Sequence, residues 1–290
     1  MTKIVDRCFQ VTGRPAFICD FSPPRSGDPA AVNQARFGAD FISVAYNPGR
    51  AVRANSAMLA AAIKSQTGQE VSFTLATRDM NQLALQSELL GAQMLGLENV
   101  IVVQGDPFPE RDLTLVGPVN QVTPTGLIAS IANMNQGTDF RDAQLRAPTD
   151  FCIGATVDLG RGVEREARLA RRKVQAGAHF LITQPIFDPD EASRFISAYA
   201  DAAGEPPGLP LFFGLQVLEQ DGIIFSSVPE QIREDLAGGR SGVDLAVKLF
   251  QRFQEAGIHD IYLVPPIRRG GARNYRAAQK VLETVRGDAE

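Results

Sequence analysis

Histidine is nearly absent from this 290-residue chain, and both copies, His179 and His259, precede apolar runs instead of following them. That excludes a His-centred catalytic triad and a His-rich metal site, so no metal is expected. Cysteine is scarce too. Cys8, Cys19 and Cys152 are odd in number, unclustered and set among apolar residues, which excludes a disulfide framework and suits a reducing, cytoplasmic setting. Five lysines occur and none ends an apolar run, which argues against Schiff-base chemistry. No Gly-x-Gly-x-x-Gly follows a strand pattern. Lys and Arg total 29 against 33 acids, scattered along the chain, so there is no basic footprint for nucleic acid. No run of 18 apolar residues exists, so no membrane partner is expected.

What is present is a repeated pattern. Gly38, Gly96, Gly177 and Gly257 each close a helix-like stretch and lead into FISVAYNP, VIVVQGDP, FLITQP and IYLVPP. Glycine past a helix supplies a left-handed cap, and each apolar run reads as a strand buried on both faces. Eight strands follow: Ala16–Phe21, Phe41–Tyr46, Val71–Thr77, Val100–Gln104, Phe151–Val157, Phe180–Gln184, Leu211–Val217 and Ile261–Val264. Helical patterns alternate with them, including one after Asp79, read as its cap, and a short one at Ala30–Arg36. The fold class is α/β, a single (β/α)8 TIM barrel spanning residues 1–290 as one domain. Such barrels do chemistry where strands end. Two longer loops, Pro107–Asn120 and Leu218–Gly242, belong to that face.

Five groups are candidates, four of them there and one on the fifth helix. Asp20 ends strand one among Ile18, Cys19 and Phe21, where burial favours the neutral acid that a proton donor needs; it could equally cap the turn into Ser22-Pro23-Pro24. Asp106 follows strand four in Gln104-Gly105-Asp106-Pro107, which is also good turn chemistry. Gln184, held before Pro185, can both donate to and accept from a heterocycle, or simply line the barrel. Arg171-Arg172-Lys173 reads as a solvated helix face or an anion site. Arg268, Arg269 and Arg273 open the last helix, where barrels bind phosphate; a dinucleotide phosphate or a folate glutamate tail would suit them.

Taken together, the motifs resemble the methylenetetrahydrofolate reductase family over nearly the whole chain. They are Cys19-Asp20-Phe21-Ser22-Pro23-Pro24-Arg25, Gln104-Gly105-Asp106-Pro107, Ile182-Thr183-Gln184-Pro185-Ile186-Phe187-Asp188, and Arg172-Lys173-Val174 before Ala176-Gly177-Ala178. The stretch from Leu75 to Phe108 is similar to the reductase half of bifunctional proteins that also carry a homocysteine methyltransferase, a half absent here. The resemblance implies an oxidoreductase in which NAD(P)H reduces FAD and the flavin passes hydride to 5,10-methylenetetrahydrofolate, giving 5-methyltetrahydrofolate for methionine synthesis. It implies Asp20 as general acid, Asp106 on the pterin and flavin, and Gln184 on the folate. It places Thr74, Gln104, Gly105, Asp106, Ala155, Thr156, Arg172 and Lys173 along FAD. It also implies partners: a tetrahydrofolate derivative, NAD(P)H, and a homo-oligomer or a protein of one-carbon metabolism. The sequence departs from the family at several points. The acid is usually Glu, Thr74 stands where His is frequent, Thr156 where Tyr is, and Gln104 where Arg is. Two alternatives follow: a flavin-independent folate reductase, or a non-catalytic folate-binding subunit serving a methyltransferase.

Overall fold

In a computed structural model, residues 2–10 and 14–287 are described. Eight parallel strands close into a barrel in chain order. They are β1 (Phe17–Phe21), β2 (Phe41–Val44), β3 (Val71–Ala76), β4 (Asn99–Val103), β5 (Cys152–Val157), β6 (Phe180–Pro185), β7 (Leu211–Gln216) and β8 (Ile261–Val264). The seam pairs Phe17 with Ile261 and Cys19 with Leu263. Around the barrel run α2 (Ser56–Thr67), α3 (Gln82–Met94), α4 (Pro124–Asn135), α5 (Val163–Gln175), α6 (Pro189–Ala203), α8 (Gly242–Glu255) and α9 (Tyr275–Arg286). A short α7 (Glu230–Ala237) interrupts the loop after β7, and α1 (Ile4–Gln10) precedes the barrel.

Side-chain oxygens of Asn55, Asn81, Thr123 and Asn274 accept the first free amides of α2, α3, α4 and α9. The cap of α3 is therefore Asn81, two residues past the expected Asp79, whose carboxylate is taken by Arg78. Gly96, Gly177 and Gly257 take positive φ as the capping pattern requires. Gly38 does not, because the element before it, Pro29–Ala35, is a 3-10 helix instead of an α-helix.

Period two in each strand separates two cores. Outward residues such as Val100, Val102, Ala155 and Leu181 pack beneath the helices. Inward residues Ile18, Phe41, Ile101, Cys152, Phe180, Ile182 and Phe212 form a second cluster, joined by Ile4, Val5 and Cys8 of α1. Thus α1 stoppers the strand-start end. Its Ile4 amide donates to Asn99 Oδ1 at 2.9 Å. At the same end Asp40 accepts from the Phe17 amide, Arg7 and Arg286. Gly154 lies opposite Phe180 in register, and a Cβ there would stand 2.3 Å from the ring, so the missing side chain is what admits the phenyl group. Phe180 meets Phe212 edge to face at 6.0 Å. The barrel axis is packed in its lower part, so along the axis a ligand can enter at the strand-end mouth.

Candidate functional site

Above the aromatic floor, the same alternation turns polar residues inward: Asp20, Ser43, Thr74, Thr156, Gln216 and Tyr262. Asp20 is the most enclosed charge among them. Tyr262 donates its hydroxyl to Oδ1 at 3.0 Å, and Arg273 donates Nε to Oδ2 at 3.1 Å. The ion pair is 5% and 8% exposed at its two side chains. So Asp20 is not a lone carboxyl among apolar groups; both oxygens are engaged and one faces a cation. Burial first, then the Asp20 charge, pushes the Tyr262 hydroxyl well above the ordinary phenol value, which keeps it a proton donor. Burial and Asp20 likewise raise Tyr275, which accepts the Ser22 amide at 3.0 Å and stacks on Phe21 at 4.9 Å.

The loops after β7 and β8 fasten to one another beside this pair. Gln216 donates to the Ile223 carbonyl at 2.7 Å, while Ile223 bridges to Ile267 and Ile267 to Arg273. Arg268 forks onto Glu219 at 3.0 and 3.1 Å, and that contact chiefly lowers the Glu219 pKa. Two of the three arginines expected to meet an anion, Arg268 and Arg273, thus already hold carboxylates, and Arg269 is exposed.

Across the mouth, Arg78 organises the loop after β4. It is buried, forks onto Asp79 at 2.5 and 2.6 Å, donates to the Asp106 carbonyl at 2.7 Å, and lies 4.2 Å over the Phe108 ring. Gly105 turns there with φ +88°, and a Cβ would come 3.1 Å from Arg78 Cβ. This leaves the Asp106 side chain exposed at the rim, next to exposed Gln104. Gln184 is exposed on the β6 rim, at a register shift between Ile182 and Pro185. Thr183 serves the shift, donating to the Gln184 carbonyl at 2.8 Å and accepting the Gly214 amide at 2.9 Å. Asp20 on β1, Asp106 in the loop after β4 and Gln184 on β6 therefore share one end of the barrel, with no hydrogen bond among them. Tyr262, Arg273 as the partner of Asp20, and Arg78 were not read as site residues from the sequence.

The family model described as Methylenetetrahydrofolate reductase matches residues 5–265. The chain belongs to the methylenetetrahydrofolate reductase family. Among solved structures, a Clostridium thermocellum protein described as binding two copies of 5-methyl-5,6,7,8-tetrahydrofolic acid is similar at 12% identity. Its TM-score is 0.66, covering 95% of this chain and 96% of that one. DmoA from Hyphomicrobium sulfonivorans is similar at 12% identity and a TM-score of 0.53, covering 96% of this chain and 89% of that one. At such identities both likenesses establish the barrel and nothing finer.

Membership in the reductase family implies FAD, and the residues present fit it poorly. Lys173, assigned to the phosphates, is buried and donates Nζ to the Thr156 carbonyl at 2.5 Å beside Glu166; burial lowers its pKa. Ala155 is fully buried and points outward into the helix-side core. Thr74, Gln104, Gly105, Asp106 and Thr156 do border the mouth, and Arg172 is exposed without an ion pair among the described residues. Of the two cations expected along FAD, only Arg172 is left without a partner among the described residues.

Proposed function

We propose that this family member reduces 5,10-methylenetetrahydrofolate to 5-methyltetrahydrofolate with NAD(P)H as the electron source. The observation that carries the reading is Asp20, fixed at the barrel wall by Tyr262 and Arg273 directly above a packed aromatic floor. The reaction needs a hydride at the one-carbon bridge and a proton at the ring nitrogen that leaves it. Family membership and the folate ligand of the Clostridium thermocellum protein support the substrate.

In this reading the pterin enters the mouth flat against the floor, with Gln184 and Asp106 on its polar edge. Exposed side chains at the rim can turn to meet both donors and acceptors. Asp20 manages the proton: it takes one up from solvent and passes it to the leaving ring nitrogen, while the Tyr262 hydroxyl, which keeps its own proton, holds the carboxyl group in place. The phenyl rings beneath exclude water and strengthen each of these contacts.

Two routes for the hydride remain, through bound FAD or directly from the nicotinamide. The commitment of Lys173 to Thr156 and the outward face of Ala155 favour the direct route. Anaerobic assays with NADH or NADPH, with and without added FAD, test both levels. Formation of 5-methyltetrahydrofolate by apoprotein without a flavin absorbance band is the expected result. A yellow protein with turnover strictly dependent on FAD supports the flavin route instead. No methylated product under any of these conditions defeats the assignment.

A further inference from the structure

Arg78 is a buried cation that the proposed chemistry leaves unused, 4% exposed just past the end of β3. It grips the loop after β4 at both ends. Its backbone amide donates to the Gln104 carbonyl at 3.0 Å, and Nη1 donates to the Asp106 carbonyl at 2.7 Å. Its own carbonyl accepts the Val119 amide at 2.7 Å, where the chain returns to the barrel. Between these points Leu113, Leu115 and Val116 are exposed, so the loop is held chiefly at its ends.

The guanidinium is itself fixed on several sides. Nε and Nη2 fork onto Asp79 at 2.5 and 2.6 Å, and the Phe108 ring lies 4.2 Å away. Gly105 packs against the stem: a Cβ there would stand 3.1 Å from Arg78 Cβ and 3.5 Å from Nε. Asp79 in turn faces Tyr46, just past the end of β2. Burial first, then the Asp79 charge, raises the Tyr46 hydroxyl above the ordinary phenol value. The ends of β2, β3 and β4 are thereby tied through one side chain. The consequence falls on Asp106. Its carbonyl is pinned by a cation and the residue before it is held at φ +88°, so Arg78 sets where its side chain leaves the backbone. The carboxylate at the rim accepts no hydrogen bond among the described residues and is open to an incoming donor.

We infer that Arg78 is a positioning residue: acting through the Asp106 backbone, it aims that carboxylate at the N–H edge of the bound pterin. This inference rests on the folate reading above. A carboxylate accepts two neighbouring N–H groups together only when its plane is held, and the exposed loop has no other cation to hold it. The binding energy lies in Asp106, and Arg78 supplies the geometry in which it is realised.

The test is a double-mutant cycle read as affinity for 5-methyltetrahydrofolate by titration calorimetry, which still reports on variants that no longer turn over. Asp106→Ala should weaken binding about thirtyfold, the scale of a hydrogen bond to a charged group. Arg78→Gln should weaken it about tenfold although Asp106 is still present. Arg78→Lys should recover part of that loss, since an ammonium can reach Asp79 or the Asp106 carbonyl but cannot fork and reach together. In the Asp106→Ala background Arg78→Gln should cost nothing further. An arginine that only steadies the fold would cost the same with or without the carboxylate. Equal losses in the two backgrounds therefore overturn the inference, as does an Arg78→Gln protein that binds like wild type. Should Arg78→Gln fail to fold, Phe108→Leu serves, because that ring is only partly buried on the loop. It should weaken binding about threefold, the scale of one cation–π contact, and only while Asp106 is present. No loss, or a loss that survives Asp106→Ala, overturns the inference by this route as well. Wild type that binds no 5-methyltetrahydrofolate defeats the folate reading and the inference with it, whereas binding with additive losses defeats only the role of Arg78.

Discussion

Replacing Gly154 with alanine probes the floor on which the site stands. The new methyl carbon would lie 2.3 Å from Phe180 Cζ and 2.6 Å from Cε2. Ordinary contact starts near 3.4 Å, so the ring must retreat by about 1 Å, against a potential that rises steeply at short range. It has no free direction, being fully buried and met edge-on by Phe212. Overpacking of this kind costs about 3 kcal/mol, the upper part of the usual range. With an unfolding entropy near 2.1 cal/mol/K per residue, that lowers Tm by roughly 5 °C. The decisive comparison is Gly154→Ala in a Phe180→Leu background. Removing the ring removes the clash, and alanine in a strand is favoured over glycine by about 0.5–1 kcal/mol, so the same change should become neutral or stabilising there. Urea unfolding of all four proteins at constant m supplies the cycle. A Gly154→Ala cost that is equal with and without the ring, or absent altogether, refutes the reasoning.

Other outcomes are expected from the same structure. Asp20→Asn should cost about 3–5 kcal/mol in chemical denaturation by leaving a buried guanidinium unpaired, and adding Arg273→Gln should recover much of it; strict additivity would contradict the pair. Burial raises the thiol pKa of Cys8 to about 12 and of Cys152 to about 11, and lifts that of Cys19 well above its ordinary value. Native protein at pH 8 should therefore resist alkylation and expose three thiols on unfolding, and stoichiometric native labelling would count against this. His179 accepts the Ile153 amide on Nδ1 at 2.9 Å, and burial followed by Lys3 lowers its pKa from 6.5. The folded state prefers the neutral ring, so this contribution is complete above pH 6.5 and is lost as pH falls through the lower folded value. The stability gap between wild type and His179→Gln should narrow below that point, and a gap unchanged on acidification would oppose it.

The barrel was legible because its strands are apolar on both faces and bounded by polar residues. The observed strand ends lie within two residues of those read from the sequence, and β8 (Ile261–Val264) coincides. α7 was not legible: Glu230–Ala237 is two turns long and sets only Ile232 and Leu236 against the core, both partly buried, so its apolar stripe is too short to stand out. The stopper role of α1 also needed the fold, since Ile4 finds the barrel interior only once the strands have closed. Within the site, the position of Asp20 could be read but its surroundings could not. Its partner Arg273 is 253 residues away, a separation at which no local pattern operates. Parity, by contrast, was available: alternation from Cys152 through Gly154 to Thr156 already turns Ala155 toward the helices. Arg78 also left a mark, as a charged residue directly after the apolar run ending at Ala76 and Thr77.

Asp40 receives Arg7 from α1, Arg286 from α9 and the backbone amide that opens β1. Both ends of the chain are therefore knotted to one carboxylate, beside the seam where the first and last strands meet. Fraying at either terminus must loosen a joint the other also depends on, so the two ends should gain protection from hydrogen exchange together and surrender it together.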